Sequence, residues 1–329
     1  MEMLGKTRIC LLIIIALTMF DAKMAIATSF AKRPDKIVAK DGSGDYITVQ
    51  AAIDAAPAGR NQFYTILIKK GVYKELINIP KGKNFISLKG EGATNTILTF
   101  DNSARKLDAN GKEYGTFGSS SVYVLADNFN AEDLTFENSS GTTGGQALAI
   151  SVTGDRAAFK NCSFLGHQDT FYAGGNTIQY FKNCFIAGTV DFIFGASTAY
   201  FEDCTLHSVA AGYLTAASTP QGQKYGYVFS KCKLTAEPSV AKSKVYLGRP
   251  WRPYANVVFL NCEMGGHIRP EGWHNWGKVE NEKTAFYAEY QSKGKGYQKN
   301  KRVSWAKELT DLDASDYTKK KVLGDWKPF

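Results

Sequence analysis

One six-residue pattern recurs six times between residues 131 and 264, and it decides what kind of fold this chain can adopt. The copies are AEDLTF (131–136), FKNCSF (159–164), FKNCFI (181–186), FEDCTL (201–206), FSKCKL (229–234) and FLNCEM (259–264). Equivalent positions are 28, 22, 20, 28 and 30 residues apart. Repeats at that spacing are the mark of a solenoid, in which each unit buries its apolar face against its neighbours.

The chemistry inside each copy selects the solenoid. The first position is apolar, usually Phe. Two mostly polar residues follow, often Asn or Asp, as at a bend. The cysteine and the residue two later are apolar, with a polar or small residue usually between them, which is the period of a strand. No amphipathic helix of ten or more residues fits within a repeat, which argues against leucine-rich and helical solenoids. Aromatic and β-branched residues between Gly, Asn and Asp punctuation read as short strands. The expected fold is all-β, a parallel β-helix, with the cysteines stacked inward as small buried hydrophobes. Helices are expected only at the ends. Residues 49–56 (VQAAIDAA), stopped by Pro57, should cap the N-terminal coil, and the Lys-rich tail from Asn281 should pack along the outside.

Composition narrows the setting. Lys6 and Arg8, the apolar run 9–20 and the small residues Ala25-Ile26-Ala27 read as a secretory signal peptide over 1–27, leaving 28–329 as one domain. The run is too short to span a bilayer, and no other stretch is a transmembrane candidate, so no membrane association is expected. Removing 1–27 deletes Lys6, Arg8 and Lys23 against Glu2 and Asp21, so the net charge goes from +9 to +8. Such a surface suits nucleic acid, anionic lipid or an acidic polysaccharide, or is merely soluble; charge alone leaves these open. Five cysteines remain (Cys162, Cys184, Cys204, Cys232 and Cys262), an odd number that leaves at least one thiol free. No CxxC pair exists and the four histidines are scattered, so no zinc site is expected. Asn138 (NSS) and Asn161 (NCS) are glycosylation sequons; Asn161 falls at a coil corner, which favours Asn138.

Two carboxylates share a register. Asp169 and Asp191 each lie seven residues after a repeat cysteine. In stacked coils they face each other across one strand spacing, ~4.8 Å, which pushes their pKa values apart. Gln168 adjoins Asp169, and Gln146 lies one coil earlier. Asp191 heads the apolar run DFIFG and is costly to bury unpaired; Arg249 in YLGRPWRPY is its natural partner. By position alone the pair also suits a retaining glycosidase, whose carboxyl groups stand ~5–5.5 Å apart. A lyase would need an acidic cluster for calcium, and none is evident. A wall-binding protein that kept the fold without activity is the third reading.

The chain resembles plant-type pectin methylesterases, or pectinesterases, over essentially its whole mature length. The resemblance rests on GDYITVQAAIDAAP (44–57), GVYKE (71–75), QALAI (146–150), GHQDTFY (166–172), GTVDFIFG (188–195) and YLGRPW (246–251). It implies a right-handed parallel β-helix. It implies that Asp191 is the nucleophile on a galacturonate methyl ester, and that Asp169 is the general acid and then the base. Gln146 and Gln168 would bind the oxyanion, and Arg249 would hold Asp191 ionised. Trp251, Phe117, Tyr172 and Phe194, with Gln146 and Arg249, would contact the sugar chain. No metal or other cofactor is implied. The implied partners are methyl-esterified pectin and a proteinaceous pectinesterase inhibitor, with no nucleic acid; the implied state is a monomer secreted to the cell wall. Glu75 is read as structural and His167 as incidental. Leu148, Phe171 and Ser119-Ser120-Ser121 depart from the usual Val, Leu and Ser-Ala-Thr, and no catalytic residue type is lost.

Overall fold

The residue before each repeat cysteine, or before Leu134 in the first copy, turns the chain. Asp133, Asn161, Asn183, Asp203, Lys231 and Asn261 all have φ between 51° and 57° in the computed structural model, which describes residues 33–329. Asn and Asp enter this left-handed region at little cost, which is why the pattern places them there; Lys231 is the exception. One such residue swings the chain between two strands. The strand Ile178–Lys182, for example, is followed directly by Phe185–Gly195. The corner side chains satisfy one another: Asn183 Nδ2 donates to Asn161 Oδ1 at 2.8 Å, and Asn161 Nδ2 donates to Asp133 Oδ1 at 2.9 Å.

The strands stack in parallel, and each repeat lies level with the next. Phe159 pairs with Phe181, Phe181 with Phe201, Phe201 with Phe229, and Phe229 with Phe259. Their rings stack at centroid distances of 5.0, 4.5, 4.5 and 4.6 Å inside the coil. One sheet of 11 strands runs from Lys36–Val38 to Lys307–Glu308. A second sheet of 13 strands has two arms. They fuse where Phe185–Gly195 and Thr205–Ala217, strands of 11 and 13 residues, each run across both arms. This is the expected all-β parallel β-helix. Residues 35–329 form one compact unit. The signal-peptide reading of residues 1–27 lies outside the described residues.

The five repeat cysteines are free and buried. Each thiol sits 3.4 or 3.5 Å from the carbonyl oxygen two residues before it. Burial pushes the Cys162 thiol up to about 12, so it stays neutral and acts as core.

The ends are closed by different means. The helix Val49–Ala55 buries Val49, Ala52 and Ile53. Thr48 caps it, and the Glu75 carboxylate accepts from the Val49 and Gln50 amides at 3.0 and 3.1 Å, so Glu75 serves the N-terminal cap. The tail behaves differently from the expectation. Its first part continues the coil through the strands Phe286–Tyr290 and Lys307–Glu308. Only the last stretch packs outside, where Leu309, Val322 and Leu323 cover Tyr180, Tyr200 and Val258.

The glycosylation expectation is corrected. Asn138 is 4% exposed, and its Nδ2 donates to the carbonyls of Asn102, Ser119 and Leu148. A glycan would replace one of the two hydrogens that serve these carbonyls and would need space that the buried site does not have, so the favoured sequon is incompatible with this fold. Asn161 spends its Nδ2 in the corner ladder.

Candidate active site

The elbow of the strand Phe185–Gly195 creates the site. Its pairing slips on either side of Val190, and Asp191 takes φ 53° there. On the neighbouring coil, Asp169 has φ 63°, and its amide donates to the Val190 carbonyl at 3.0 Å. Beyond them Phe171 pairs with Ile193. Each aspartate is two residues before that pair, so the carboxylates are level across one strand spacing, as the cysteine register predicts. Both are buried, at 8% and 5% exposure.

Arg249 reaches in from two coils further on, past the strand Thr205–Ala217. Its amide donates to the Thr215 carbonyl at 3.0 Å. Gly248 permits that approach, because a Cβ there would stand 2.1 Å from Thr215 Oγ1. The guanidinium grips Asp191 at two points: Nε donates to Oδ1 at 2.9 Å and Nη2 to Oδ2 at 2.6 Å. Its two flat faces are covered by Trp276 at 3.7 Å and Tyr213 at 4.0 Å.

Burial raises both carboxyl groups, by different net amounts. Asp169 is pushed up to about 8, first by burial and then by the charge of Asp191, with Arg249 opposing. Asp191 is raised by burial, and the hydrogen bonds and charge of Arg249 pull it back. Burial outweighs the cation in the net shift of Asp191, while the hydrogen bonds and charge of Arg249 still favour its ionised form. Asp169 accepts no hydrogen bond from a described residue and is pushed up to about 8, while Asp191 has the guanidinium of Arg249 to favour its charged form.

The glutamines complete the polar wall. The Ala147 amide donates to the Gln168 carbonyl at 3.1 Å, which sets Gln146 beside Gln168. Both side chains line the cavity, and neither amide has a protein partner among the described residues. A role in satisfying neighbouring backbone groups is thereby removed. His167 falls outside the cavity lining.

The four expected aromatics form one path. Phe117 meets Tyr172 at 5.0 Å, Tyr172 meets Phe194 at 4.9 Å, and Phe194 meets Trp251 at 5.8 Å. Phe117, 51% exposed, stands at the rim, and Phe194 forms the floor. Tyr172 joins those two and does not itself line the cavity, which has a volume of about 210 Å³. Thr116, Ala216 and Trp276 also line it and were missed from sequence. Trp276 lies outside every repeat copy, in a loop where nothing but its aromatic character marks it. A larger cavity of about 620 Å³ beside Lys233, Glu263 and His267 lacks the aspartate pair, so size does not locate the site.

The pectinesterase family model matches residues 35–325, which spans the whole coil and the site. The chain belongs to the pectinesterase family. It is 45% identical over 285 residues to pectinesterase 31 of Arabidopsis thaliana, covering 85% of this chain and 89% of the relative. Its fold matches a pectin methylesterase from carrot with a TM-score of 0.85 at 36% identity, covering 92% of this chain and 98% of the other. It also matches a pectin methylesterase solved in complex with a hexasaccharide, with a TM-score of 0.82 at 35% identity, covering 91% and 99%. Pectinesterases are hydrolytic enzymes. The cavity brings together a carboxylate gripped by a guanidinium, a second buried carboxyl group beside it, and two amide side chains without a protein partner among the described residues.

Proposed function

We propose that this pectinesterase removes methyl esters from cell-wall pectin (homogalacturonan), releasing methanol and pectate. The observation that carries the reading is the two-point grip of Arg249 on Asp191 with Asp169 level beside it. Asp191 attacks the ester carbonyl carbon. The carbonyl electron pair moves to the oxygen, where the amides of Gln146 and Gln168 bind the oxyanion. Collapse breaks the bond to methoxide, which takes the Asp169 proton and leaves as methanol. The acyl-enzyme is then attacked by water, whose proton passes to Asp169. The bond to Asp191 breaks, and both carboxyl groups return to their starting states.

The aromatic path Phe117–Tyr172–Phe194–Trp251, with Trp276, supplies apolar faces for sugar rings along the polymer. Gln146 and Arg249 contact the reacting unit. The amide pair favours acyl chemistry over glycoside cleavage, since sugar C–O cleavage develops no oxyanion. The proposed partners are methyl-esterified pectin and, as the resemblance implies, a proteinaceous inhibitor. Secretion to the cell wall is proposed from the apolar run 9–20 and the small residues at 25–27.

The test measures methanol release and polymer length on methylated pectin, with and without chelator. The expected result is methanol without shortening, in both conditions. Shortening without methanol would point to a glycosidase or lyase and reject the reading.

A further inference from the structure

Among the described residues, Arg249 has no second carboxylate to hold it in place. Its Nε and Nη2 are spent on Asp191, and its planar faces lie between two rings. A second acid would orient the guanidinium but share its charge. Ring faces orient it and leave the charge undivided for Asp191.

The Tyr213 side of this sandwich is built in depth. Tyr213 lies on the strand Thr205–Ala217 in register with Tyr246 on Val245–Gly248. The two rings stack at 5.2 Å, 9° from parallel. The Arg269 guanidinium lies 4.6 Å from the Tyr246 ring, so the stacked tyrosine pair has a cation at each end. His274 sits against both tyrosines, at 5.7 and 5.3 Å. Its Nδ1 accepts from the Trp276 amide at 3.0 Å, where Trp276 holds φ 62°. One histidine therefore braces the tyrosine plate and the tryptophan plate together. Burial and the charges of Arg249 and Arg269 lower the His274 pKa, which keeps that acceptor unprotonated.

Resting on the catalytic reading above, we propose that Tyr213 is a positioning residue: its ring, backed by Tyr246, fixes Arg249 in the plane that meets both oxygens of Asp191. Tyr213 does not line the cavity, so it acts through Arg249 and not on the sugar. It is half-buried on the outer side of its strand, where it can be replaced without opening the core. The ionisable groups facing Asp191 are Arg249 and Asp169, with Tyr287 also feeling its charge; His274 lies beside Arg249, and Arg269, paired with Glu271, stands beyond the tyrosine pair.

The test compares Tyr213→Phe, Tyr213→Leu and Tyr213→Thr in methanol release from methylated pectin, with Asp191→Asn beside them. The Phe variant keeps the ring and should retain kcat within about twofold, while Leu and Thr should lower kcat about tenfold with KM nearly unchanged. In Leu and Thr the acid limb of kcat/KM should also move to higher pH, because Asp191 loses the hold of its cation. Wild-type kcat and pH profile in Leu and Thr would overturn the proposal. So would a rise in KM alone, which would make Tyr213 a substrate contact, or equal damage in Phe, which would assign the effect to the hydroxyl. If Leu fails to fold by circular dichroism, Thr decides, being small and suited to a strand. Failure of both would make Tyr213 a folding residue and also reject the proposal. Full activity in Asp191→Asn would instead reject the catalytic reading beneath it.

Discussion

Asp169 and Asp191 are the same residue type at the same register, and their neighbours make them different. Arg249 donates twice to Asp191, while at Asp169 burial and a like charge outweigh the more distant pull of Arg249, and it rises to about 8. Turnover should therefore fall as pH rises through about 8, where Asp169 loses the proton that methanol needs. The same shift costs stability. The unfolded chain releases this proton near pH 4, and the folded chain keeps it until about 8. The folded state therefore loses ground as pH rises between those values. Asp169→Asn should abolish activity yet be more stable than wild type above pH 8, by on the order of a few kcal/mol. Near pH 4 the two should match. Urea midpoints at pH 4.5 and 8.5 check this, and an equal gap at both would contradict it. The polar lining of the site, Gln146, Gln168, Asp169, Asp191 and Arg249, was legible in the sequence, because the motifs carry it. The upward shift of Asp191 was not, because burial depends on how Trp276 and Tyr213 enclose Arg249, and neither lies in a repeat copy.

At the scale of elements, the repeat was legible because each copy does the same physical work. Phe fills the ladder, Asn or Asp turns the corner, and Cys packs inward. Phe201 is fully buried between Phe181 and Phe229. Phe201→Ala should lower the folding free energy by ~3–5 kcal/mol, read from denaturant unfolding, and Phe201→Leu should cost less. A loss under ~1 kcal/mol in the Ala variant would show that the stack is not a close-packed core. The fusion of two arms through Phe185–Gly195 and Thr205–Ala217 was not legible. Neither strand contains a Pro or Asn that announces a bend, and the elbow falls on the aspartate that also carries the chemistry. The tail was half legible. Its outer packing was expected, while its two added strands, Phe286–Tyr290 and Lys307–Glu308, carry no copy of the repeat.

For the whole molecule, an open stack must be sealed at both ends. The N-terminal helix was readable from VQAAIDAA and its Pro57 stop. The C-terminal seal was not, since it is a pair brought together only by folding. Arg302 Nε donates to Glu289 at 2.6 Å with both side chains nearly inaccessible, and Arg302 also donates to the carbonyls of Arg269, Pro270 and Gly296. Arg302→Ala strands Glu289 as a buried charge and should cost ~3–5 kcal/mol, while Glu289→Leu combined with Arg302→Met should restore most of it. Thermal unfolding of the single and double variants checks this, and a double variant no more stable than Arg302→Ala would contradict it. The rigid stack holds Gln146, Asp169 and Asp191 on successive coils and brings Arg249 in from two coils beyond Asp191, an arrangement that suits Asp191 as the proposed nucleophile of an ester hydrolase. The most direct measurement is methanol release and polymer length for wild type and Asp191→Asn on methylated pectin, with folding of the variant verified. Wild type should release methanol without shortening the polymer, and Asp191→Asn should lose about a thousandfold or more of that activity. Turnover within about tenfold of wild type in the variant, or shortening without methanol in wild type, would contradict it.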